Sequence, residues 1–407
     1  MGSEASKRHL YGTHRTCSPE ETLARMRPML ASMGITRIAN VTGLDRTGIP
    51  VVMVCRPSSR SIAVSQGKGV TLAAAKASGV MEAIEVWHAE RIMRPLKLAS
   101  YDEIRREHRA ADVTRLPQAA GSSFSPDLAL LWIEGQDLMG SGAVWIPFEL
   151  VSTNYTLPLP PGSGCFQANT NGLASGNHRL EAASHGLCEV VERDATTLWR
   201  QQSPIAREKR ALDPATIDDP ACLSVLAQLE SAGLIVHIWE TTTDVGIASF
   251  VCLLMDPTSH EVDPEFGAGC HPARDVALLR ALTESAQARN TTIAGARDDY
   301  PAQAYSDAYR RRRGALCEDL ISKSKPRRSF AHVPHFESPA VDADLRWMLA
   351  RLRSVGIDQV IEVDLVREAL GIPVVRVVVP GLEGAMEDDD GDYSPGARSR
   401  RFAREAT

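Results

Sequence analysis

Three stretches of the chain repeat one order of apolar and polar positions. TLARMRPMLASMGITRIANVTGLDRTGIPVVMVC, LSVLAQLESAGLIVHIWETTTDVGIASFVCLLMD and DLRWMLARLRSVGIDQVIEVDLVREALGIPVVRVVVP each open with apolar residues at helical spacing. Each helical run stops at a glycine (Gly34, Gly233, Gly356), which fits a left-handed cap at little cost. An apolar strand follows, then a polar turn with Asp, then a second apolar strand behind Gly48, Gly246 or Gly371. The short connections predict hairpins, and the uneven spacing of the copies excludes a solenoid. The pattern therefore predicts an α+β scaffold of helix-and-hairpin modules joined into antiparallel or mixed sheets.

Between the modules, helices are predicted over 71–93, 178–201 and 273–290, each after a glycine-rich loop: SQGKG, NTNGLASGN and FGAGCH. In the first, SGVMEAIEVWHAE, the residues Ser78, Glu82 and Glu85 share a face. A solvent face would supply Lys or Arg three or four positions away, but the neighbours at those offsets are Ser78, Gly79, Met81, Val86, His88 and Ala89. Burying unpaired carboxylates is costly, so the cation must come from elsewhere in the chain or be a metal. The second helix, LEAASHGLCEVVERDA, aligns Glu181, His185, Glu189 and Glu192, with Arg193 next. The third, ALLRALTESAQARN, aligns Arg280, Glu284 and Gln287, with Arg289 nearby. Glu oxygens converging from separate helices suit Mg²⁺ bridged to phosphate, with Lys68, Arg193, Arg280 and Arg289 available to neutralise the phosphates. Salt bridges between the helices are the competing reading. There is no P-loop, kinase signature or strand-linked G-x-G-x-x-G, so a nucleotide site here needs an uncommon fold.

The 407 residues, 43% of them hydrophobic, suffice for two or three lobes at about 150 residues each. Lys and Arg number 45 against 51 Asp and Glu, a formal net charge of −6, which argues against nucleic acid as a partner. No apolar run approaches about 18 residues, and MGSEASKRHLYGTHR lacks a signal-peptide core, so a cytoplasmic protein without membrane contact is expected. The eight cysteines are scattered and read as reduced, buried thiols. Cys270-His271 in FGAGCHPARD is a candidate catalytic thiol, set against a tight loop entering a helix. The basic stretch 310–328 reads as solvated surface or as a grip for an acidic peptide, and the charge-segregated tail from Glu387 as largely mobile. The expected units are a helix-hairpin module at 1–60, a domain carrying the three carboxylate helices at 61–380, which the family resemblance below makes the catalytic ATP-binding domain, and a polar tail at 381–407.

SQGKG with Ser78-x3-Glu82-x2-Glu85, NGLASGN with Glu189-x2-Glu192-Arg193-Asp194, and ALLRALTESAQARN with GARDD at 295–299 resemble, in order, the three ATP/Mg motifs of the YcaO family. The resemblance spans about residues 30–380. It implies a YcaO-type fold with a central ATP site and ATP and Mg²⁺ as cofactors. Glu82, Glu85, Glu189 and Glu192 would then hold metal. Lys68, Ser78, Asn171, Ser175, Asn177, Glu181, Arg193, Glu284, Gln287 and Arg289 would contact nucleotide or metal, with Arg193, Gln287 and Arg289 closest to the reacting amide. One departure is Val86, where many members carry Arg. The implied chemistry is O-phosphorylation of a peptide backbone amide attacked by a nucleophile. The tail lacks the Pro-x-Pro-x-Pro element common in azoline-forming members. GTHR, GITRIANVTGLD, GIPV, GCHP and YSPGAR are instead similar to members encoded with a TfuA-type partner and linked to thioamide formation. Thioamidation is therefore expected ahead of cyclodehydration or an accessory ATP-binding role. The implied partners are a precursor peptide or protein, a TfuA-like protein with a sulfur donor, a separate leader-recognition protein, and a second copy in a homodimer.

Overall fold

The computed structural model describes residues 5–140, 142–258, 264–297, 299, 302–384 and 394–405. Asp298 of GARDD and the start of the tail, from Glu387 through Tyr393 of YSPGAR, lie outside the described residues.

The first module runs α1 (Pro19–Met26), β1 (Arg37–Asn40), β2 (Val51–Cys55), β3 (Val64–Lys68) and α2 (Leu72–Ala89). A connecting region follows, with β4 (Leu96–Ala99), α3 (Tyr101–Glu107), β5 (Leu130–Asp137) and β6 (Ala143–Pro147). Then come β7 (Leu173–Ser175), α4 (Arg179–Gln201) and α5 (Pro204–Glu208). The second module is α6 (Pro220–Ser231), β8 (Ile235–Glu240), β9 (Ser249–Met255), β10 (Glu265–Cys270) and α7 (Arg274–Ala294). After α8 (Asp307–Lys323), the third consists of α9 (Val341–Ser354), β11 (Ile361–Asp364) and β12 (Val374–Val378), and α10 (Ala397–Glu405) ends the described chain.

All strand pairs in the three sheets are antiparallel, so the mixed alternative is not needed. The orders are β1-β2-β3, β10-β9-β8 and β4-β5-β11-β12-β7, with β6 on β5. Each hairpin thus gains a third strand (β3, β10, β7) that leads directly into a carboxylate-bearing helix (α2, α7, α4). Because β3 pairs along β2, from Val51↔Lys68 to Cys55↔Val64, a boundary at residue 60 would cut the first sheet.

The glycine-rich segments read as loops are therefore largely strands. Their glycines let a helix lie almost on the strand backbone. A Cβ on Gly67 would stand 2.1 Å from the carbonyl oxygen of Ala75 on α2, and one on Gly269 would stand 2.0 Å from that of Ala277 on α7. The cap glycines behave as expected, with φ of +73°, +72° and +81° at Gly34, Gly233 and Gly356.

Apolar faces close the modules. Val80, Ala83, Ile84 and Trp87 of α2 share a core with Trp132, Ile133, Ile361 and Val374 of the large sheet. Leu278 and Leu282 of α7 pack with Leu226 and Leu229 of α6 and Phe250 of β9. Val375 and Val377 of β12 lie under Leu187 and Val191 of α4. Within the tail, α10 is ordered against α4: Arg398 is buried and pairs with Asp194 and Asp244. No helix among the described residues is long and apolar enough to cross a membrane.

Candidate active site

The third strands face the carboxylates of the helices. From the NGLASGN segment, the Gly172 N–H donates to Glu189. The Ser175 N–H and Oγ both donate to Glu85 Oε1 at 2.7 Å. The Asn177 N–H donates to Glu181 Oε1 at 3.2 Å. From β3, the Gln66 N–H donates to Glu82 Oε1 at 3.3 Å and the Lys68 ammonium pairs with Glu284 of α7. On the other side of Glu284, the Ala268 N–H of β10 approaches Oε1 at 3.5 Å. One short segment after β6 thus contacts three of the acids, which places α2 and α4 around a common space.

The electrostatics join the three helices. Burial pushes Glu82 up to about 7, and Glu189 adds to the rise against the pull of Lys68 and Arg297. Burial pushes Glu85 up to about 8 in spite of Ser175, helped by Glu82 and Glu189. Burial and Glu284 raise Glu192 to about 7 against Arg193, Arg280 and Lys68. Glu189 is also raised by burial, while Arg193 and Arg376 oppose the rise. For Glu284 burial acts in the same direction, but Lys68 and Arg193 outweigh it and hold this carboxyl below its ordinary range. Glu82, Glu85 and Glu189 keep part of their surface open while standing deep among protein atoms, as the lining of a cleft does.

This is a set of hard oxygen donors with more negative charge than the chain's own cations offset, since three of the carboxyls are driven toward neutrality near pH 7 to 8. A divalent cation would supply the missing charge, and oxygen donors from three helices with nearby Lys68 and Arg193 fit Mg²⁺ and a triphosphate. The residues present therefore fit the cofactors the sequence implied.

Most of the anticipated residues meet here: Lys68, Glu82, Glu85, Ser175, Glu189, Glu192, Arg193 and Glu284. Gln287 is at the rim, its Nε2 3.5 Å from Gln66 Oε1. Glu181 and Asn177 form the neighbouring wall, where Glu181 Oε2 also accepts from the Thr16 N–H at 2.8 Å and Oγ1 at 2.7 Å. Ser78 lies exposed one turn before Glu82. Asn171 Oδ1 is buried with no hydrogen-bond partner among the described residues. Arg289 is not brought to the carboxylates. It is buried in a two-armed pair with Asp45, at 3.0 and 3.1 Å. Five positions past Glu284 on one helix it points about 140° away, so its sequence proximity to that acid misleads.

Sequence reasoning missed Gly172, Gln66, the Thr16 contact and Arg376. Arg376 is 2% exposed on β12, donates to the Asn169 carbonyl at 2.8 Å, and supports the charge of Glu189. A single Arg inside VVRVVV was the available signal. Val86 is itself buried. Cys270 is the buried last residue of β10, and its thiol is pushed well above the ordinary range by burial and Cys188, which disfavours the thiolate a nucleophile needs; only His271 to Ala273 form the loop into α7.

Comparison with known proteins supplies the family. A family model described as "YcaO cyclodehydratase, ATP-ad Mg2+-binding" matches residues 66–383. An uncharacterised protein in the tfuA 3′ region of Rhizobium leguminosarum bv. trifolii is 36% identical over 380 residues, covering 91% of this chain and 88% of its own length. An uncharacterised protein of Methanothermobacter thermautotrophicus is 36% identical over 378 residues, covering 90% and 94%. Among solved structures, YcaO from Methanopyrus kandleri, bound with AMPPCP and Mg²⁺, superposes with a TM-score of 0.76 at 23% identity over 97% of this chain and 99% of that one. A heterocyclase in complex with substrate and cofactor gives 0.75 at 22% identity, over 94% of this chain and 54% of that one. The matched family model covers most of the chain and the first relative is 36% identical over nearly its whole length, so the chain belongs to the YcaO family, whose cofactors are ATP and Mg²⁺.

Proposed function

We propose that this protein activates a peptide backbone amide with ATP and installs a thioamide in a ribosomally made peptide or protein. The observation that carries the thioamide reading is the relationship, over nearly the whole chain, to a protein from a tfuA region. ATP with Mg²⁺ supplies the phosphoryl group that converts the amide oxygen into a leaving group. Glu82, Glu85, Glu189 and Glu192 would hold the cation, Lys68 and Arg193 would balance the phosphates, and Gln287 would orient the amide. The protein's contribution on this reading is positioning and charge, in keeping with a buried, protonated Cys270. A precursor peptide, a TfuA-like partner with a sulfur donor, a separate leader-binding protein and a homodimer in the cytoplasm belong to the same proposal. Cyclodehydration is the second reading, favoured by the family model's description.

Mass spectrometry of the neighbouring precursor peptide after incubation with enzyme, partner, Mg-ATP and sulfide tests it. The expected product gains the mass of sulfur for oxygen. Loss of one water would establish cyclodehydration instead. An unchanged peptide, with the protein still stabilised by Mg-ATP, would point to an accessory ATP-binding role.

A further inference from the structure

Two segments that the chemistry above leaves unused, GTHR at 12–15 and GCHP at 269–272, meet in the structure. The rings of His14 and His271 stand edge to face with centroids 5.1 Å apart. His185, on the carboxylate face of α4, joins them through Arg280, whose Nη2 donates to His185 Nδ1 at 3.2 Å and whose Nη1 donates to the Cys270 carbonyl at 3.2 Å. Arg280 also acts on Glu192, so it stands between this cluster and the carboxylate cleft.

The hydrogen bonds fix the state of all three imidazoles. His14 Nδ1 faces the Lys7 ammonium at 3.2 Å, His185 Nδ1 faces Arg280, and His271 Nδ1 accepts from the Ala273 N–H at 3.0 Å. An ammonium, a guanidinium and an amide can only donate, so each Nδ1 carries the lone pair and each Nε2 carries the proton. Burial holds the three rings neutral, with Arg280 and Arg15 acting on all three and Lys7 on His14 and His271. The ligand atoms of His14, His271 and Asp344 lie within 4.8 Å of one another, but a metal there would have to displace Lys7, which faces His14 Nδ1 and is buried against Asp344 at 2.6 Å. The cluster is therefore built of N–H donors. Lys7 is balanced by Asp344 and Arg15 by Glu181, whereas Arg280 has no carboxylate within salt-bridge distance among the described residues. One guanidinium charge and three neutral N–H groups suit a small monoanion better than a phosphate dianion.

Resting on the thioamide reading, we infer that His14, His185, His271 and Arg280 form the subsite that receives the sulfur nucleophile as hydrosulfide, beside the nucleotide. The step balances: peptide amide, HS⁻ and ATP give thioamide, ADP and inorganic phosphate. The C–S bond forms, the amide C–O bond breaks with its oxygen leaving on phosphate, and the sulfur-bound proton ends on that phosphate. No electrons are exchanged with a third component.

Anaerobic kinetics of the full chain with its precursor peptide, TfuA-like partner, Mg-ATP and sodium sulfide test the subsite. A wild-type product that forms without sulfide, or by loss of water, overturns the thioamide reading itself before any variant is compared. With sulfide-dependent wild-type turnover established, His271→Gln and Arg280→Gln raise the KM for sulfide by about tenfold or more and leave the KM for ATP within about twofold. An unchanged KM for sulfide, or a rise confined to the KM for ATP, overturns the subsite and makes Arg280 a phosphate ligand. Should either variant fail to fold, bromide inhibition of the wild type decides: competition with sulfide supports the subsite, and competition with ATP or none overturns it.

Discussion

At Glu85 the surroundings set a carboxyl against its own charge, because burial and the neighbouring Glu82 and Glu189 raise it to about 8. Glu82 and Glu192 are raised to about 7. The folded, metal-free protein therefore holds protons that the unfolded chain has already lost above about pH 4.3, and stability falls as pH rises toward the folded values. The buried imidazoles act oppositely, since His14, His185 and His271 are lowered, but their contribution ends near the unfolded histidine value of about 6.5. Between about pH 6.5 and pH 8 the carboxyls alone remain, and the Tm of chelator-treated protein should decline across that window. Glu85→Gln imitates the protonated state, so it should flatten the decline and leave the apo protein at least as stable at pH 8. A Tm that climbs through this window in both proteins would contradict the crowding described. The same crowding predicts that Glu82→Gln or Glu192→Gln keeps the fold and lowers kcat/KM by about 100-fold or more, since each removes an oxygen from the proposed cation site. Full activity in either variant would remove that residue from the site.

The contact between a third strand and its helix is what brings the carboxylates together, and it depends on missing side chains. At Gly67 and Gly269 the obstacle to a Cβ is backbone, at 2.1 and 2.0 Å, which cannot rotate away. Gly67→Ala or Gly269→Ala should therefore cost about 2 to 3 kcal/mol or prevent folding, measured as a shift in the urea midpoint. Gly34→Ala, with φ of +73° and nothing within 4 Å of the new Cβ, should cost only about 1 kcal/mol. Equal losses at both kinds of site would remove the packing argument. These elements also show what the sequence made legible. The caps at Gly34, Gly233 and Gly356, the hairpins and the Glu stripes are local patterns with periods near two or 3.6, and each appears where its period places it. The third strands were read as loops because glycine in a strand looks like a turn until the helix lying on it is known. Lys68 with Glu284, Arg376 with Glu189 and Thr16 with Glu181 join residues far apart in the chain, and no local period encodes such pairs.

Across the whole molecule, the tail closes back on the helix that carries the second motif. Arg398 lies in the polar, charge-segregated segment that sequence alone read as largely mobile, yet it is 8% exposed and reaches Asp194, which is fully buried, through Nε at 2.9 and 3.0 Å. Asp194 also accepts from the Glu383 N–H at 3.0 Å, and Glu383 in turn accepts from the Ser399 N–H at 2.7 Å, so α10 and the end of the third module are clamped at one point of α4. Even with Arg398 and the Glu383 N–H in place, burial holds Asp194 up at about 6. Removing the guanidinium leaves an uncompensated charge in the interior, and Arg398→Ala should cost about 3 kcal/mol in urea unfolding at pH 7.5. Asp194→Asn combined with Arg398→Ala should recover part of that loss, because the buried charge is then absent. Since Asp194 directly follows Glu192 and Arg193, the single variant should also weaken stabilisation by Mg-ATP in a thermal-shift titration, and the paired variant should do so less. A single variant with unchanged stability and unchanged Mg-ATP response would show that the tail only rests on the surface of α4.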